Sequence, residues 1–324
     1  MNLSIVSEDR PNDDVVVLNP LAVKRIKEVT NIAVLVEKNA GVKIGYKDED
    51  YISAGAKIVS REEAHRQANL LVRRNAPTIE ELQMMTPGNI SMSMLHHDGV
   101  PQRRYDLEHA DITGVALDFI KDEFGEREVY LYDITAQNGV NYGYELVKKN
   151  PEDCKVKIMG YGYLGKSAMN YVSKKRSNLE ILNRKHTTNI RAYLKDTDIL
   201  INAINWPLEK RGKEFIMYEE DLMLMKKGAV IIDLVVNPEG MSPIKTCKPT
   251  YVDKPHYQVQ DIMHACVWGW PGLTPKKTSE EYSKLLPKYI IDIAKNGPLN
   301  VSDNLKGAYV NLNALKLRLK NEIL

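Results

Sequence analysis

The strongest constraint on this chain is a glycine-rich turn that lies directly between a predicted strand and a predicted helix. Residues 156–159 are an apolar run typical of a buried strand, and the glycines after it have the spacing GxGxxG before a helix predicted over 166–175. Gly160 suits a tight turn, Gly162 a close approach to a pyrophosphate, and Gly165 close packing of helix on strand. The pattern predicts a dinucleotide-binding unit with the phosphates at the helix N-terminus. The alternative is a purely structural glycine turn.

The end of the next predicted strand, 179–182, indicates which dinucleotide is bound. NAD-specific sites usually carry an acidic residue there for the ribose 2′-hydroxyl, whereas this chain has Asn183, Arg184 and Lys185. These residues favour a 2′-phosphate and therefore NADP (NADPH) over NAD; the alternative is a solvated basic turn. The cofactor contacts predicted from the sequence are Gly160, Gly162, Tyr163, Leu164, Gly165, Asn183, Arg184, Lys185, Ala203, Ile204, Asp233 and Trp268.

Composition excludes several other classes of protein. The 324 residues are 43% hydrophobic and 27% charged, which is ordinary for a globular protein of two domains. The formal charge of +2 comes from scattered basic residues, so no basic stripe predicts nucleic-acid binding. The three cysteines show no CxxC or Cys/His spacing, which argues against a disulfide framework and against a structural metal site. We expect a cytoplasmic protein with no metal, no export signal and no membrane span.

Predicted strands and helices alternate along most of the chain, which predicts an α/β fold with mostly parallel sheets. Ligands of such sheets bind at the carboxyl ends of the strands. Arg73, Arg74 and Asn75 follow one predicted strand, and His96 follows another. The helices predicted over 280–295 and 308–324 lie too close to the C-terminus to belong to a compact nucleotide-binding domain. We therefore expect the two ends of the chain to form one discontinuous domain.

Several segments, taken in order, resemble one family, the alanine dehydrogenase and pyridine-nucleotide transhydrogenase superfamily. They are residues 18–20, 36–41, 50–56, 95–96, 227–233, 248–250 and 271–278. The resemblance implies two Rossmann-like domains, each a doubly wound parallel sheet, with an interdomain cleft. It places a discontinuous catalytic domain at 1–145 plus 275–324, and the dinucleotide-binding domain at 146–274.

Within that family the chain is most similar in layout to the opine-forming branch, the N5-(carboxyethyl)ornithine synthases. The similarity lies in total length, in the abbreviated stretch 183–193 and in the segment 198–202. The resemblance implies that the side-chain amine of an amino acid condenses with a pyruvate-like 2-keto acid, and that NADPH reduces the imine.

Some of the functional residues of the family are present in this chain, and others are replaced. His96 matches the catalytic histidine, but Val15 and Asn75 stand where the family has an arginine and a lysine. Asn237 likewise replaces an aspartate. Because Arg73 keeps a basic residue near the strand end, we expect it to orient a substrate carboxylate in place of Val15. The predicted catalytic set is therefore His96, Arg73, Asn75 and Asn237.

Three functions remain open from the sequence. The first is an NADPH-dependent oxidoreductase acting on C–N bonds of the opine type. The second is an amino-acid dehydrogenase of the alanine type with an altered substrate. The third is a catalytically silent NADP-binding regulator, which the loss of charge at three site positions would permit. All three predict small-molecule ligands and a homodimer or higher homo-oligomer.

Overall fold

The computed structural model describes residues 1–321 and forms two compact units. Unit 1 comprises residues 1–130 together with the chain from Pro275 onward, and unit 2 comprises Leu131–Thr274. Unit 2 therefore begins before residue 146, where the sequence placed the start of the dinucleotide-binding domain. The reason is a long helix over Tyr132–Val147, which packs its buried face on the second sheet.

The first part of unit 1 alternates strands with helices. Its strands are β1 (Asn2–Ile5), β2 (Ala33–Glu37), β3 (Lys57–Val59), β4 (Leu70–Asn75), β5 (Ile90–Met94) and β6 (Thr113–Ala116). Its helices are α1 (Pro20–Val29), α2 (Asp48–Ser53), α3 (Arg61–Gln67), α4 (Ile79–Gln83) and α5 (Gln102–His109). Local sequence explains the helix starts: Asn19 caps α1 ahead of Pro20, and Ser60 with Glu63 forms a capping box on α3.

Unit 2 repeats the alternation around a second sheet. Its helices are α6 (Tyr132–Val147), α7 (Tyr163–Lys174), α8 (Arg184–Thr187) and α9 (Arg191–Leu194). Its strands are β7 (Lys155–Met159), β8 (Asn178–Leu182), β9 (Ile199–Asn202), β10 (Val230–Asp233), β11 (Tyr257–Val259) and β12 (Ile262–Ala265). The strand order is β11-β12-β10-β9-β7-β8, and all pairs are parallel except β11 with β12.

The chain then completes unit 1. It adds α10 (Pro275–Leu285), α11 (Pro287–Asn296), α12 (Asp303–Lys306), β13 (Tyr309–Val310) and α13 (Leu312–Asn321). Strand β13 pairs antiparallel with β6, which gives the order β13-β6-β5-β4-β1-β2-β3. Short 3-10 helices lie at Val42–Ile44, Leu117–Phe119, Pro151–Asp153, Leu208–Lys210, Glu219–Leu224 and Trp270–Leu273. The predicted α/β class with two doubly wound, mostly parallel sheets is confirmed.

Two helix predictions were wrong. The helix expected over 280–295 is two helices, because Pro287 has no backbone N–H and begins α11 instead of continuing α10. The helix expected over 308–324 begins only after the edge strand β13 and a left-handed residue, Asn311. Residues 322–324 lie outside the described chain. Within residues 1–321, no helix is both long enough and apolar enough to cross a bilayer.

Candidate active site

The glycine turn of unit 2 has the geometry of a nucleotide-binding turn. Gly160 follows β7 with φ +98°, a left-handed conformation that favours glycine, and a Cβ there would lie 2.8 Å from the Ala203 carbonyl oxygen. A Cβ on Gly165 would collide with the carbonyl oxygen of Gly160. These two glycines are therefore required by the backbone itself, whatever binds there.

Gly162 is different, because among residues 1–321 no atom beyond its chain neighbours lies within 4 Å of the position that a Cβ would take. It is the N-cap of α7 and offers no side chain to the first helical N–H groups. Open space in front of uncapped N–H groups fits a pyrophosphate. Of the neighbouring predicted contacts, Tyr163 is 53% exposed and stacks on Tyr132, whereas Leu164 is buried in the core behind the turn.

The end of β8 presents two basic side chains to solvent. Asn183 caps the short α8, because its Oδ1 accepts the backbone N–H of Lys185 at 2.9 Å. Arg184 and Lys185 are exposed, and among residues 1–321 neither forms an ion pair with a carboxylate. Since β7 and β8 are parallel neighbours, these charges share a sheet edge with the glycine turn. The edge suits a phosphorylated ribose.

The next two strand ends are polar and buried. Asp233 ends β10, and its carboxylate accepts hydrogen bonds from Asn202 Nδ2 at 2.9 Å, Val235 N at 3.0 Å and Ser242 Oγ at 2.9 Å. Burial raises the pKa of Asp233 despite these bonds. Asp233 is therefore a residue that holds the loop after β10 in place, rather than an exposed cofactor ligand.

The other predicted residues of unit 2 lie on the loops at this edge. Ala203 donates its N–H to the Met159 carbonyl at 2.8 Å, and Ile204 donates to Asn202 Oδ1 at 3.2 Å. Asn237 is buried and its Nδ2 donates to the Val235 carbonyl at 2.9 Å. Trp268 is partly exposed.

In unit 1, His96 lies just after β5 and is held by Asp118. The Nδ1 of His96 is 3.3 Å from the Asp118 carboxylate, which also accepts the backbone N–H groups of Leu95 at 2.9 Å and His96 at 3.0 Å. Burial alone would raise the pKa of Asp118, but its bonds with His96 lower that pKa to about 2. The carboxylate is thus ionised at neutral pH. It holds Nδ1 of the ring and thereby fixes the orientation of the imidazole.

The backbone of His96 is itself in a rare conformation. Its φ is 45°, in the left-handed region that a non-glycine residue adopts at a cost of about 1–3 kcal/mol. Asp118 offsets this cost by accepting two backbone N–H groups at the same turn. Strained residues fixed in this way are concentrated at functional sites. His96 is about one-third exposed and remains accessible.

Arg73 does not have the environment expected of a substrate ligand. Its side chain is fully buried, and its guanidinium pairs with Glu8 at 3.2 Å, Asp9 at 2.8 Å and Glu81. Although burial alone would lower the pKa of Arg73, these carboxylates raise it above its ordinary value. We therefore correct the role predicted from the sequence: Arg73 holds the loop 6–14 against the end of β4 and is not placed to orient a substrate carboxylate.

Asn75 is fixed in a polar cluster at the end of β4. Its Nδ2 donates to Asp13 Oδ2 at 2.8 Å, and its Oδ1 accepts from Arg10 at 3.4 Å. Arg74 also donates to Asp13. Because β4 and β5 are parallel neighbours, Asn75 and His96 follow adjacent strands at one edge of the sheet.

The sequence prediction missed the acidic partners of these residues. Asp118 could have been found, because it is a carboxylate two residues after the apolar strand β6. Glu8 and Asp13 lie in a polar loop with many charged residues, and only the tertiary structure selects which of them turn inward.

The fold and the two strand-end clusters define a class: a dinucleotide-binding α/β protein with a positioned histidine. Comparison with known proteins gives the family. The model of the alanine dehydrogenase/PNT N-terminal domain matches residues 4–152, and that of the C-terminal domain matches residues 155–316. The chain therefore belongs to the alanine dehydrogenase/PNT family and is an oxidoreductase, as the resemblance predicted.

Curated relatives cover nearly the whole chain. The alanine dehydrogenase of Staphylococcus saprophyticus is 24% identical over 99% of this chain and 95% of its own length. That of Methanococcus maripaludis is 24% identical over 92% of this chain and 88% of its own. Among solved structures, an L-alanine dehydrogenase matches with a TM-score of 0.81 at 20% identity, over 99% of both chains. A transhydrogenase from Sinorhizobium meliloti matches with a TM-score of 0.75 at 17% identity, over 90% and 93%. At such identities the structures establish the shared fold.

Proposed function

We propose that this protein is an NADPH-dependent oxidoreductase acting on C–N bonds, with the activity of an N5-(carboxyethyl)ornithine synthase. It would reduce the imine formed between a pyruvate-like 2-keto acid and the amine of an amino acid. The observation that carries the proposal is the positioned His96–Asp118 pair, with Asn75, held by Asp13, at the end of the adjacent strand. This chain keeps the histidine for proton transfer, His96. At the positions where the family has a lysine and an aspartate it has the amides Asn75 and Asn237.

The cofactor assignment rests on unit 2. When bound, NADPH supplies a hydride. The Gly162 space and the uncapped start of α7 would hold its pyrophosphate, and Arg184 with Lys185 would hold its 2′-phosphate. A carboxylate at the end of β8 would repel the 2′-phosphate. Within residues 1–321, no carboxylate pairs with Arg184 or Lys185.

The reaction requires one proton besides the hydride. Hydride adds to the imine carbon and a proton to its nitrogen, which gives a secondary amine. We assign the proton to the imidazole of His96, which Asp118 orients by holding Nδ1.

The direct test is a matrix of 2-keto acids and amino acids incubated with the enzyme and NADPH, with products identified by mass spectrometry. We expect NADPH oxidation that requires both partners and yields a secondary amine of their combined mass. NADPH oxidation that depends on ammonia, without a secondary-amine product, would contradict the opine-type assignment.

The cofactor has its own test in Arg184→Ala. Losing a charge-assisted contact with a phosphate costs about 1.5–3 kcal/mol, so NADPH should bind about 10-fold to 100-fold more weakly while NADH binding changes little. Lys174→Ala is the matched control, because it removes one exposed positive charge at the far end of α7. Equal losses for both dinucleotides, or an effect of Lys174→Ala as large as that of Arg184→Ala, would contradict the NADP assignment.

A second candidate is an amino-acid dehydrogenase of the alanine type with an altered substrate. It is favoured by the curated relatives, which are named alanine dehydrogenase. Ammonia release during oxidation of a single amino acid would support it. Both candidates include small-molecule substrates, a homodimer or higher homo-oligomer and a cytoplasmic setting; light scattering tests the oligomer, and fractionation tests the location.

A further inference from the structure

Two cysteines and an aspartate that are far apart in the sequence meet inside unit 2. Asp233 ends β10, Cys247 lies on the loop that follows it, and Cys266 comes directly after β12. One carboxylate oxygen and the two sulfur atoms all lie within 4.8 Å of one another, and all three residues are buried. The parallel pairing of β10 with β12 brings the two strand ends side by side.

We propose that Asp233, Cys247 and Cys266 form a binding site for a thiophilic divalent cation of the zinc class. Two sulfur donors and one carboxylate oxygen are a ligand set that zinc and cadmium accept, whereas magnesium and calcium require oxygen donors throughout. The site is independent of the function proposed above, since its residues do not include the glycine turn, Arg184 or His96.

The neighbouring polar groups complete the site. Ser242 is buried, its Oγ lies 2.9 Å from Asp233 Oδ2, and it also forms a hydrogen bond with Cys247. Ser242 therefore places a fourth donor atom, its hydroxyl oxygen, beside the other three, and four donors are the number that a tetrahedral cation requires. The remaining carboxylate bonds, from Asn202 and Val235, orient the aspartate in the way that outer-shell partners orient metal ligands.

The charge balance suits a buried cation. A cation of this class binds cysteine as thiolate, and the charges of two thiolates equal that of one divalent cation. The two sulfur ligands therefore neutralise the bound cation, and binding releases the thiol protons.

Occupancy would act on the ligand edge of the second sheet. The cation would join the ends of β10 and β12 to the loop 234–247 through Asp233. The same aspartate is bonded to Asn202 at the end of β9, whose Oδ1 in turn accepts the N–H of Ile204. A bound cation would thus stiffen the strand ends that follow the nucleotide turn.

The test is titration of the reduced, chelator-treated protein with cadmium chloride, monitored by the ultraviolet absorption of sulfur-to-cadmium charge transfer. We expect one cadmium per chain, and loss of most of this absorption in Cys247→Ser and in Cys266→Ser. Cys154→Ser is the matched control, because Cys154 is buried in the same unit but bonds the Asn150 carbonyl, and it should leave the titration unchanged. Unchanged absorption in both site variants would overturn the proposal.

A second measurement does not depend on the variants folding. X-ray absorption of the zinc-loaded wild-type protein should show two sulfur neighbours at about 2.3 Å together with oxygen neighbours. Calorimetry in buffers of different ionisation enthalpy should show release of about two protons per zinc. Zinc surrounded only by oxygen and nitrogen, or binding without proton release, would place the cation elsewhere and refute the site.

Discussion

The Asp118→Asn substitution tests whether the carboxylate behind His96 is what makes the histidine functional. Asp118 accepts two backbone N–H groups, at 2.9 and 3.0 Å, and pairs with His96 Nδ1 at 3.3 Å. An asparagine of the same shape replaces one acceptor oxygen by an NH₂ donor, which then faces one of these N–H groups. A buried donor left without an acceptor costs about 1–3 kcal/mol, and the lost charge weakens the remaining bonds.

The depressed pKa of Asp118 gives a second measure of the same effect. Its value falls from 3.8 to about 2, which corresponds to about 2 kcal/mol of folding free energy. Because the folded-state pKa is the lower one, this stability is present above about pH 4 and is lost as the pH falls towards 2. Wild-type and Asp118→Asn proteins should therefore differ most near neutral pH and converge in acid.

The assay combines urea unfolding across this pH range with steady-state kinetics. We expect Asp118→Asn to lose about 2–4 kcal/mol of unfolding free energy at pH 7. The value of kcat should fall about 100-fold, because the proton donor loses its orientation, while the KM for NADPH stays unchanged. Asp106→Asn, on the exposed face of α5, is the matched control and should change neither. Wild-type stability and rate in Asp118→Asn would refute the assigned role of the pair.

Three further predictions concern the rest of the fold. Arg73→Met removes the cation that pairs with the buried Glu8 and Glu81 carboxylates and with the exposed Asp9, and it should lower the unfolding free energy by about 3–5 kcal/mol. A rise in the keto-acid KM without loss of stability would instead restore Arg73 as a substrate ligand. Gly165→Ala drives a Cβ into the Gly160 carbonyl and should abolish NADPH binding in fluorescence titration. Gly307→Ala is the control, because the φ of Gly307 is −62° and a Cβ there would make only ordinary contacts, the nearest at 3.6 Å; this variant should bind NADPH normally. Burial lowers the pKa of His264 to about 4, so the stability due to its neutral form is lost as the pH falls from about 6.5 towards 4, and His264→Gln should flatten the unfolding free energy over that interval.

The dinucleotide-binding unit could be predicted from the sequence because its requirements are local. A buried strand, glycines at fixed spacing and the start of a helix lie within about twenty consecutive residues, and Gly160 and Gly165 each answer a backbone constraint of their neighbours. The strand–helix alternation likewise predicted mostly parallel sheets, and the resemblance to the family implied two doubly wound domains. Residues at strand ends, such as His96, could be named because parallel strands bring their carboxyl ends to one edge.

The role of a charged residue could not be predicted in the same way. Arg73 and Arg184 both follow predicted strands, yet one is enclosed by carboxylates and the other faces solvent. The difference depends on which side chains of the loop 6–14 turn inward, and that is decided by packing between segments some 65 residues apart.

The amino-acid sequence by itself determined where the strands end and which residues lie at those ends. Only the tertiary structure decided what those residues face: Asp118 behind His96, and the Asp233, Cys247 and Cys266 group that no spacing in the sequence indicated. The physical reason is that hydrogen bonds and ligand sets form between atoms a few ångströms apart. In this fold such atoms come from neighbouring strands that are distant along the chain.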